Sequence, residues 1–400
     1  MRLLWIPLNA VGRLRTNDMC QQVTEVAGIV TTSMDIPLPW HAFELQSVPR
    51  EADIVIKRSQ LGESYTAPKN PQRRLDWEYV HHSLDVNSLP DGDWLLHNDN
   101  DESMLNIRCS PDYRQVTVYC PDDALLQRDG ALSLLRTACE CRFCHEGIIS
   151  LHAACIEGDS YALCFTGDSG VGKSTRAMAW INALGARFIS GDRPAIRLEK
   201  DGCTVCGVPW DGKEQIFRNI ERPLTAIFDV RRAPFTRLRR LSPDQAYGVL
   251  MAQSFIPMWD ADTAMLAMVN VHKLSRSVPV YRLFCGPDGE AAKEVYHILF
   301  ENPESIREEL PDMQIKQGFI LRSIGDEHMV MPTGENIGKF GGAVVLSETA
   351  AYIFEQLQKP ISREDLLALM LSEFDVDEQT ASSDLDELLA QFKEMGILEE

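Results

Sequence analysis

The residues best suited to chemistry stand in one run, Gly167-Asp168-Ser169-Gly170-Val171-Gly172-Lys173-Ser174-Thr175, which has phosphate-loop spacing. Glycines let backbone N–H groups turn inward and approach an anion without Cβ clashes. A helix opening at Lys173 would add its partial positive charge. Lys173 would then reach the β- and γ-phosphates of a nucleoside triphosphate, and Ser174 would ligate Mg²⁺. ATP and Mg²⁺ are the cofactors this pattern implies, although no motif for the base is readable.

Such a loop needs a carboxylate as well, for the metal or for an attacking hydroxyl. Asp192 follows the apolar strand Arg187–Ser190, which a βαβ unit would set beside the loop strand. Asp229, after Thr225-Ala-Ile-Phe, competes with it, and position favours Asp192. His152 shares a strand face with Ser150 and Ala154, so by residue type alone it reads as a satisfied core histidine as readily as a functional one. Lys213, in the loop Val208-Pro-Trp210-Asp-Gly-Lys213, is a cation for γ-phosphate or substrate, or a solvated lysine. Arg231, Arg232, Arg237, Arg239 and Arg240 crowd a short stretch of an otherwise acidic chain. Their guanidinium forks suit an acidic peptide or a phosphate, and a solvated face is the alternative.

The surrounding elements are legible from periodicity. An apolar strand at 161–166 leads into the loop, and a helix from Lys173 ends at Gly185. Residues 195–200 and 203–208 pair around Asp201-Gly202, a type I′ hairpin signal. Upstream, 1–145 reads as an α+β segment without a catalytic signature. It has an alternating strand at 52–57, a hairpin over 105–108 and 116–119, and a helix at 131–145 whose Leu135, Cys139 and Phe143 share one face. Downstream, 317–400 reads as a small hairpin followed by three short helices. Ser362 and Asp365 form a capping box before the second helix. Three domains result, 1–145, 146–316 and 317–400.

The central segment resembles the HPr kinase/phosphorylase family through Leu151-His152-Ala-Ala, the loop itself and Ser190-Gly-Asp-Arg193. That family shares its fold with phosphoenolpyruvate carboxykinases and phosphorylates serine hydroxyls. The resemblance implies that His152 sits near the transferred phosphate and that Asp192 acts as base or metal carboxylate. Gly191 departs from the family pattern, which usually has a second Asp there. Residues 317–400 resemble the PqqD-like domain, a small winged-helix module that binds leader peptides of ribosomally made natural products. Leu346-Ser-Glu-Thr-Ala-Ala-Tyr-Ile-Phe, Ile361-Ser-Arg-Glu-Asp-Leu-Leu and Phe374-Asp-Val-Asp carry that likeness. The expected fold class is therefore α/β: a strand-rich phosphate-loop kinase domain of HPr-kinase type between an N-terminal α+β segment and a winged-helix-like C-terminal domain.

Charge narrows the partners. The 400 residues carry a net charge of −20, which excludes a nucleic-acid binder resting on phosphate neutralisation. Residues 341–400 hold fourteen acidic and three basic side chains, so a DNA-reading winged helix is excluded there and a peptide or protein partner is favoured. A dimerisation or packing role is the alternative for this domain. No apolar stretch reaches membrane-spanning length and the first residues lack a secretory pattern, so a cytoplasmic protein is expected. The 11 cysteines read as reduced, buried thiols. Zinc at Cys141/Cys144 and Cys203/Cys206 is disfavoured, because the first pair lies on a helix and the second points to opposite faces of a strand.

These observations imply an ATP- and Mg²⁺-dependent kinase acting on a Ser or Thr hydroxyl of a precursor peptide or small protein. A small-molecule hydroxyl kinase and a non-catalytic, nucleotide-gated peptide binder are the alternatives, and homo-oligomerisation is open.

Overall fold

The computed structural model describes residues 21–34, 36, 38–59, 73–76, 83–98, 106–120, 129–210, 218–308, 313–324, 327–337 and 343–399. Lys213, Leu105 and the N-terminal stretch lie outside the described residues. The chain divides into two compact units, Met1–Asp229 with Pro243–Val280, and Val230–Ser242 with Tyr281–Glu400.

The first unit opens with strands β1 (Gln21–Val26), β2 (Ile29–Met34), β3 (Ile54–Arg58) and β4 (Arg73–Asp76). Strands β5 (Ser83–Ser88), β6 (Trp94–Asn98), β7 (Asn106–Cys109) and β8 (Gln115–Tyr119) follow. They form one sheet in the order β1-β2-β3-β8-β7-β6-β5-β4, in which β3 runs parallel to both its neighbours. Alternation does here what it should: Ile54 and Ile56 of β3 are buried while Lys57 is exposed. Helix α1 (Asp129–His145) covers part of this sheet with Leu135, Cys139 and Phe143, each at most 3% exposed. The same core takes in Ala195, Cys206, Val208 and Trp259 from farther along the chain.

Next come β9 (Ile148–Ser150), β10 (Ala153–Glu157), β11 (Ala162–Thr166), helix α2 (Lys173–Leu184) and β12 (Arg187–Ser190). Then follow β13 (Ala195–Glu199), β14 (Gly202–Cys206), β15 (Glu221–Pro223) and β16 (Ala226–Arg232). Strands β15-β14-β13-β9 make one sheet, and β12-β10-β11-β16 stand side by side in another. This order corrects the expectation for the strand before Asp192. β12 pairs antiparallel with β10, and the parallel neighbour of the loop strand β11 is β16. The turn between β10 and β11 is tight, so the two form a hairpin first and displace β12 by one place. The β13–β14 register pairs Glu199 with Gly202, which puts Lys200-Asp201 at the turn and Gly202 in the strand at φ +116°.

Helix α2 packs through Trp180 against Tyr161 and Phe165, with ring centroids 5.7 and 6.1 Å apart, and Phe165 meets Phe228 of β16 at 5.4 Å. Gly185, at φ +70°, ends the helix by donating its N–H to Ile181 O. Helices α3 (Pro243–Gln253) and α4 (Ala261–Ser277) complete the unit. Asp260 caps α4 and also accepts the Tyr113 hydroxyl at 3.1 Å, tying the β7–β8 turn to that helix.

A disulfide joins Cys155 of β10 to Cys164 of β11. It corrects the expectation that every cysteine is a thiol. The antiparallel register sets these two residues directly opposite, with Cα atoms 4.3 Å apart, a pairing that sequence spacing does not reveal.

In the second unit, β18 (Val280–Cys285) pairs antiparallel with β17 (Arg237–Arg240), which runs parallel to the short β19 (Arg307–Glu308); helix α5 spans Gly289–Tyr296. The C-terminal part holds β20 (Gln314–Ile315), the meander β21 (Phe319–Ile324), β22 (Glu327–Pro332) and β23 (Val344–Leu346), and the closing β24 (Leu398–Glu399). Helices α6 (Glu348–Gln356), α7 (Arg363–Glu373) and α8 (Glu378–Glu394) bury Ile353, Phe354, Leu366, Leu385 and Phe392 in a common core. Ser362 caps α7 as its spacing predicts: its Oγ accepts from Asp365 N at 3.2 Å and donates to Asp365 Oδ2 at 2.6 Å.

Candidate functional site

In the loop between β11 and α2, Gly167, Gly170 and Gly172 all adopt positive φ, at +132°, +74° and +101°. A Cβ at Gly172 would run into the Arg176 guanidinium, and one at Gly170 would meet nothing within 4 Å. Arg176, buried on the first turns of α2, donates to Val171 O at 2.9 Å and holds the loop's shape from beneath. The Lys173 ammonium lies over the loop, donating to Gly167 O at 3.0 Å and Asp168 O at 3.2 Å. Burial lowers the proton affinity of Lys173, against the pull of Asp192 and Asp168.

His152 lies between β9 and β10, held by its N–H on Gln253 O at 2.8 Å and by its own carbonyl, which accepts the Thr166 hydroxyl at 2.8 Å. Its Nε2 stands 3.9 Å from Asp192 Oδ1. Burial, then the nearby Lys173 charge, push the imidazole down to about 4 although Asp192 opposes them, so the ring is neutral at physiological pH. Lys173, His152 and Asp192 therefore converge, because β10 stands between β11 and β12 and carries His152 toward both. Asp229 is buried at the end of the parallel pairing, opposite Thr166. Ser169, Ser174 and Thr175 lie in the loop and the first turn of α2. A hydroxyl on Ser174 and a carboxylate on Asp192 are hard oxygen donors of the kind Mg²⁺ takes.

Two cations here escaped the sequence reading. Arg136 of α1 lies close enough to Asp192 and Arg193 for its charge to interact with both, and it approaches Glu140 Oε2 at 3.7 Å. Glu140 is fully buried and accepts the Ser150 hydroxyl at 2.6 Å. Arg193 adjoins Asp192. No motif marks Arg136, which nears Asp192 through folding, and Arg193 stands in the sequence only as the residue that closes Ser190-Gly-Asp-Arg193.

Within the arginine-rich stretch, Arg237 and Arg239 are engaged by α7, while Arg232 and Arg240 are exposed. Arg237 Nη1 donates to Asp365 Oδ1 at 2.8 Å and to Glu364 O at 2.9 Å, and its guanidinium lies 5.1 Å from the Phe235 ring centre. Arg239 pairs with the Glu364 carboxylate. Arg231 and Arg232 end β16, half-buried and exposed respectively.

The second candidate site is a cavity of about 410 Å³ beside β23, whose lining mixes apolar residues such as Val345, Phe374 and Leu388 with the polar Asp384, Glu387 and Gln391. β23 is the edge of its three-stranded sheet, and Val345 is 62% exposed. An edge that pairs with no further described strand, beside a cavity of mixed lining, can accept an extended chain as an added strand whose side chains enter the cavity.

Residues 327–398 match the family model for coenzyme PQQ synthesis protein D (PqqD). The C-terminal module is a PqqD domain. Among solved structures, the chain is similar to TbiB1 in complex with the TbiA(beta) leader peptide at 21% identity, covering 22% of this chain and 94% of that one, with a TM-score of 0.19. It is likewise similar to lasso peptide synthetase B1 complexed with the leader peptide, at 22% identity, 22% and 98% coverage and a TM-score of 0.19. A third similarity is to the Hpr(Ser) kinase/phosphatase from Coxiella burnetii, 11% identical, covering 39% of this chain and 96% of that one, with a TM-score of 0.22. No curated protein sequence matches the chain. Among the described residues no helix is long and apolar enough to cross a membrane, and no group of three or more His, Cys, Asp or Glu side chains could hold a metal ion.

Proposed function

We propose that the chain is an ATP-dependent kinase that phosphorylates a Ser or Thr hydroxyl of a ribosomally made precursor peptide captured by its PqqD domain. The observation that carries this reading is the convergence of Lys173, His152 and Asp192 at a glycine-shaped loop, in one chain with a PqqD domain. The loop glycines and the start of α2 would receive the triphosphate, and Lys173 would leave its carbonyl partners for the β- and γ-phosphates. Ser174 and Asp192 would hold Mg²⁺, whose role when bound is to neutralise charge on the phosphates. Asp192 would orient the acceptor hydroxyl and take its proton, as one carboxylate serving both duties where Gly191 offers none. His152, neutral, would hydrogen bond to the reacting group without adding charge. Positioning supplies most of the rate in such a reaction. The edge of β23 and its cavity would take the peptide's leader segment, leaving the acceptor residue free to reach Asp192. Between the two acceptor classes, the PqqD domain favours a peptide over a metabolite.

The test is transfer of γ-labelled phosphate from ATP into size-fractionated extract of the source cell, with Lys173→Ala and Asp192→Asn proteins alongside. Label in a peptide or small-protein fraction, absent with both variants, is the expected result. Label in a metabolite fraction instead, or free phosphate alone, overturns the peptide-kinase reading.

A further inference from the structure

Only Ala27, Tyr113 and Arg193 take positive φ among the described residues other than glycine. Two of them have a visible reason. Ala27 sits with Gly28 in the two-residue turn joining β1 to β2. Tyr113 is held by its hydroxyl, between Trp259 and Asp260. Arg193, at φ +46°, stands directly before Pro194, where the proline ring restricts its neighbour further. The turn is clamped on either side: Ser190 Oγ donates to Asp192 O at 2.7 Å, and Leu151 N donates to Pro194 O at 3.3 Å. A glycine would fill such a position without strain, so an arginine there calls for a use of its guanidinium.

That guanidinium is half-buried and makes no hydrogen bond or ion pair with any described residue. It does not face away from the site either. Its charge lowers the proton affinity of His152, Lys173 and Arg136 alike. Three cations, Lys173, Arg136 and Arg193, thus gather around Asp192, a surplus that a polyanion would relieve.

We propose that Arg193 is a phosphoryl-binding arginine supplied in cis, its fork taking non-bridging oxygens of the γ-phosphoryl group during transfer. The proposal rests on the kinase reading above. In the step, the acceptor oxygen bonds to the γ-phosphorus as the bond from phosphorus to the β–γ bridging oxygen breaks. The hydroxyl proton passes to Asp192, and ADP leaves with the bridging oxygen's electron pair. Arg193 neither gives nor takes a proton; it offsets charge that is spread over the equatorial oxygens in the transition state.

The test compares Arg193→Gly and Arg193→Lys in the full chain. Glycine suits the backbone while deleting the fork, and lysine keeps a charge without it. Affinity is measured for Mg·ADP and for Mg·ADP with aluminium fluoride, which mimics the phosphoryl group in flight. In Arg193→Gly, the gain in affinity on adding fluoride falls by about 10² or more, affinity for Mg·ADP stays within about threefold, and turnover falls without a matching rise in the KM for ATP. The thermal midpoint stays level or rises, and Arg193→Lys recovers only part of the loss. An unchanged fluoride gain in Arg193→Gly overturns the proposal, as does an equal loss toward Mg·ADP alone. A wild-type protein that gains affinity with fluoride, loses it in Arg193→Gly, and labels no peptide sinks the peptide-kinase reading but supports Arg193.

Discussion

Around Lys173 the polar groups face inward onto one another: an ammonium on loop carbonyls, an imidazole beside a carboxylate, an arginine under the loop. Beside β23 the arrangement differs, with a strand edge open among the described residues, Val345 exposed and a cavity of mixed apolar and polar lining alongside. The first region is built for a small, highly charged ligand that replaces existing contacts with stronger ones. The second, on the proposed function, takes an extended chain whose backbone completes a sheet. On the proposed function, recognition of an acceptor and chemistry upon it fall to different surfaces, each of which can be broken without the other.

The sharpest way to break that separation is Lys173→Ala, which should lower phosphoryl transfer about 10³-fold while leaving peptide affinity unchanged. Loss of peptide binding in a titration of that variant would show the two surfaces to be one. Next in size is Arg237→Ala, which leaves the buried Asp365 carboxylate without its guanidinium. It should cost about 3 kcal/mol of stability in denaturant unfolding. The exposed pair Arg363–Asp386 is the control, and Asp386→Ala should cost less than about 1 kcal/mol. Leu388→Asp, which replaces an apolar wall residue of the cavity with a charge beside Asp384 and Glu387, should weaken leader-peptide binding about tenfold or more in a calorimetric titration, with Mg·ATP binding unchanged. The smallest effect is a proton equilibrium. In an NMR titration His152 should have its midpoint near 4. Because Lys173 lowers that value and Asp192 raises it, Lys173→Met should move the midpoint up and Asp192→Asn should move it down. Movement in the opposite senses would mean that the ring does not face these two charges.

Local features were legible in the sequence, and contacts that depend on strand order were not. Glycine spacing announced the loop, a serine three residues before an aspartate announced the cap of α7, and helical periodicity announced the buried face of α1. The place of β12 was misread because a βαβ rule was applied to a strand that follows a hairpin. Asp192 still reaches Lys173, by way of β10 rather than by adjacency to β11. Arg136 comes from a segment with no chemical signature, and Arg193 is marked only by a backbone angle that sequence does not display. The Cys155–Cys164 bond likewise depends on register. The arginines at 237 and 239 could not be told from a solvated face until Asp365 and Glu364 were seen to meet them.

That last contact bears on how the protein can be re-engineered. Arg237, Arg239 and Phe235 belong to residues 230–242, yet they are finished by α7 and the core of the PqqD domain. A cut placed near residue 317 would strip their partners and leave two guanidinium groups and an aromatic ring uncovered. The PqqD domain is therefore not a removable cassette. A chimera that exchanges this domain for another should carry the 230–242 segment along with it, or confine its changes to the cavity wall.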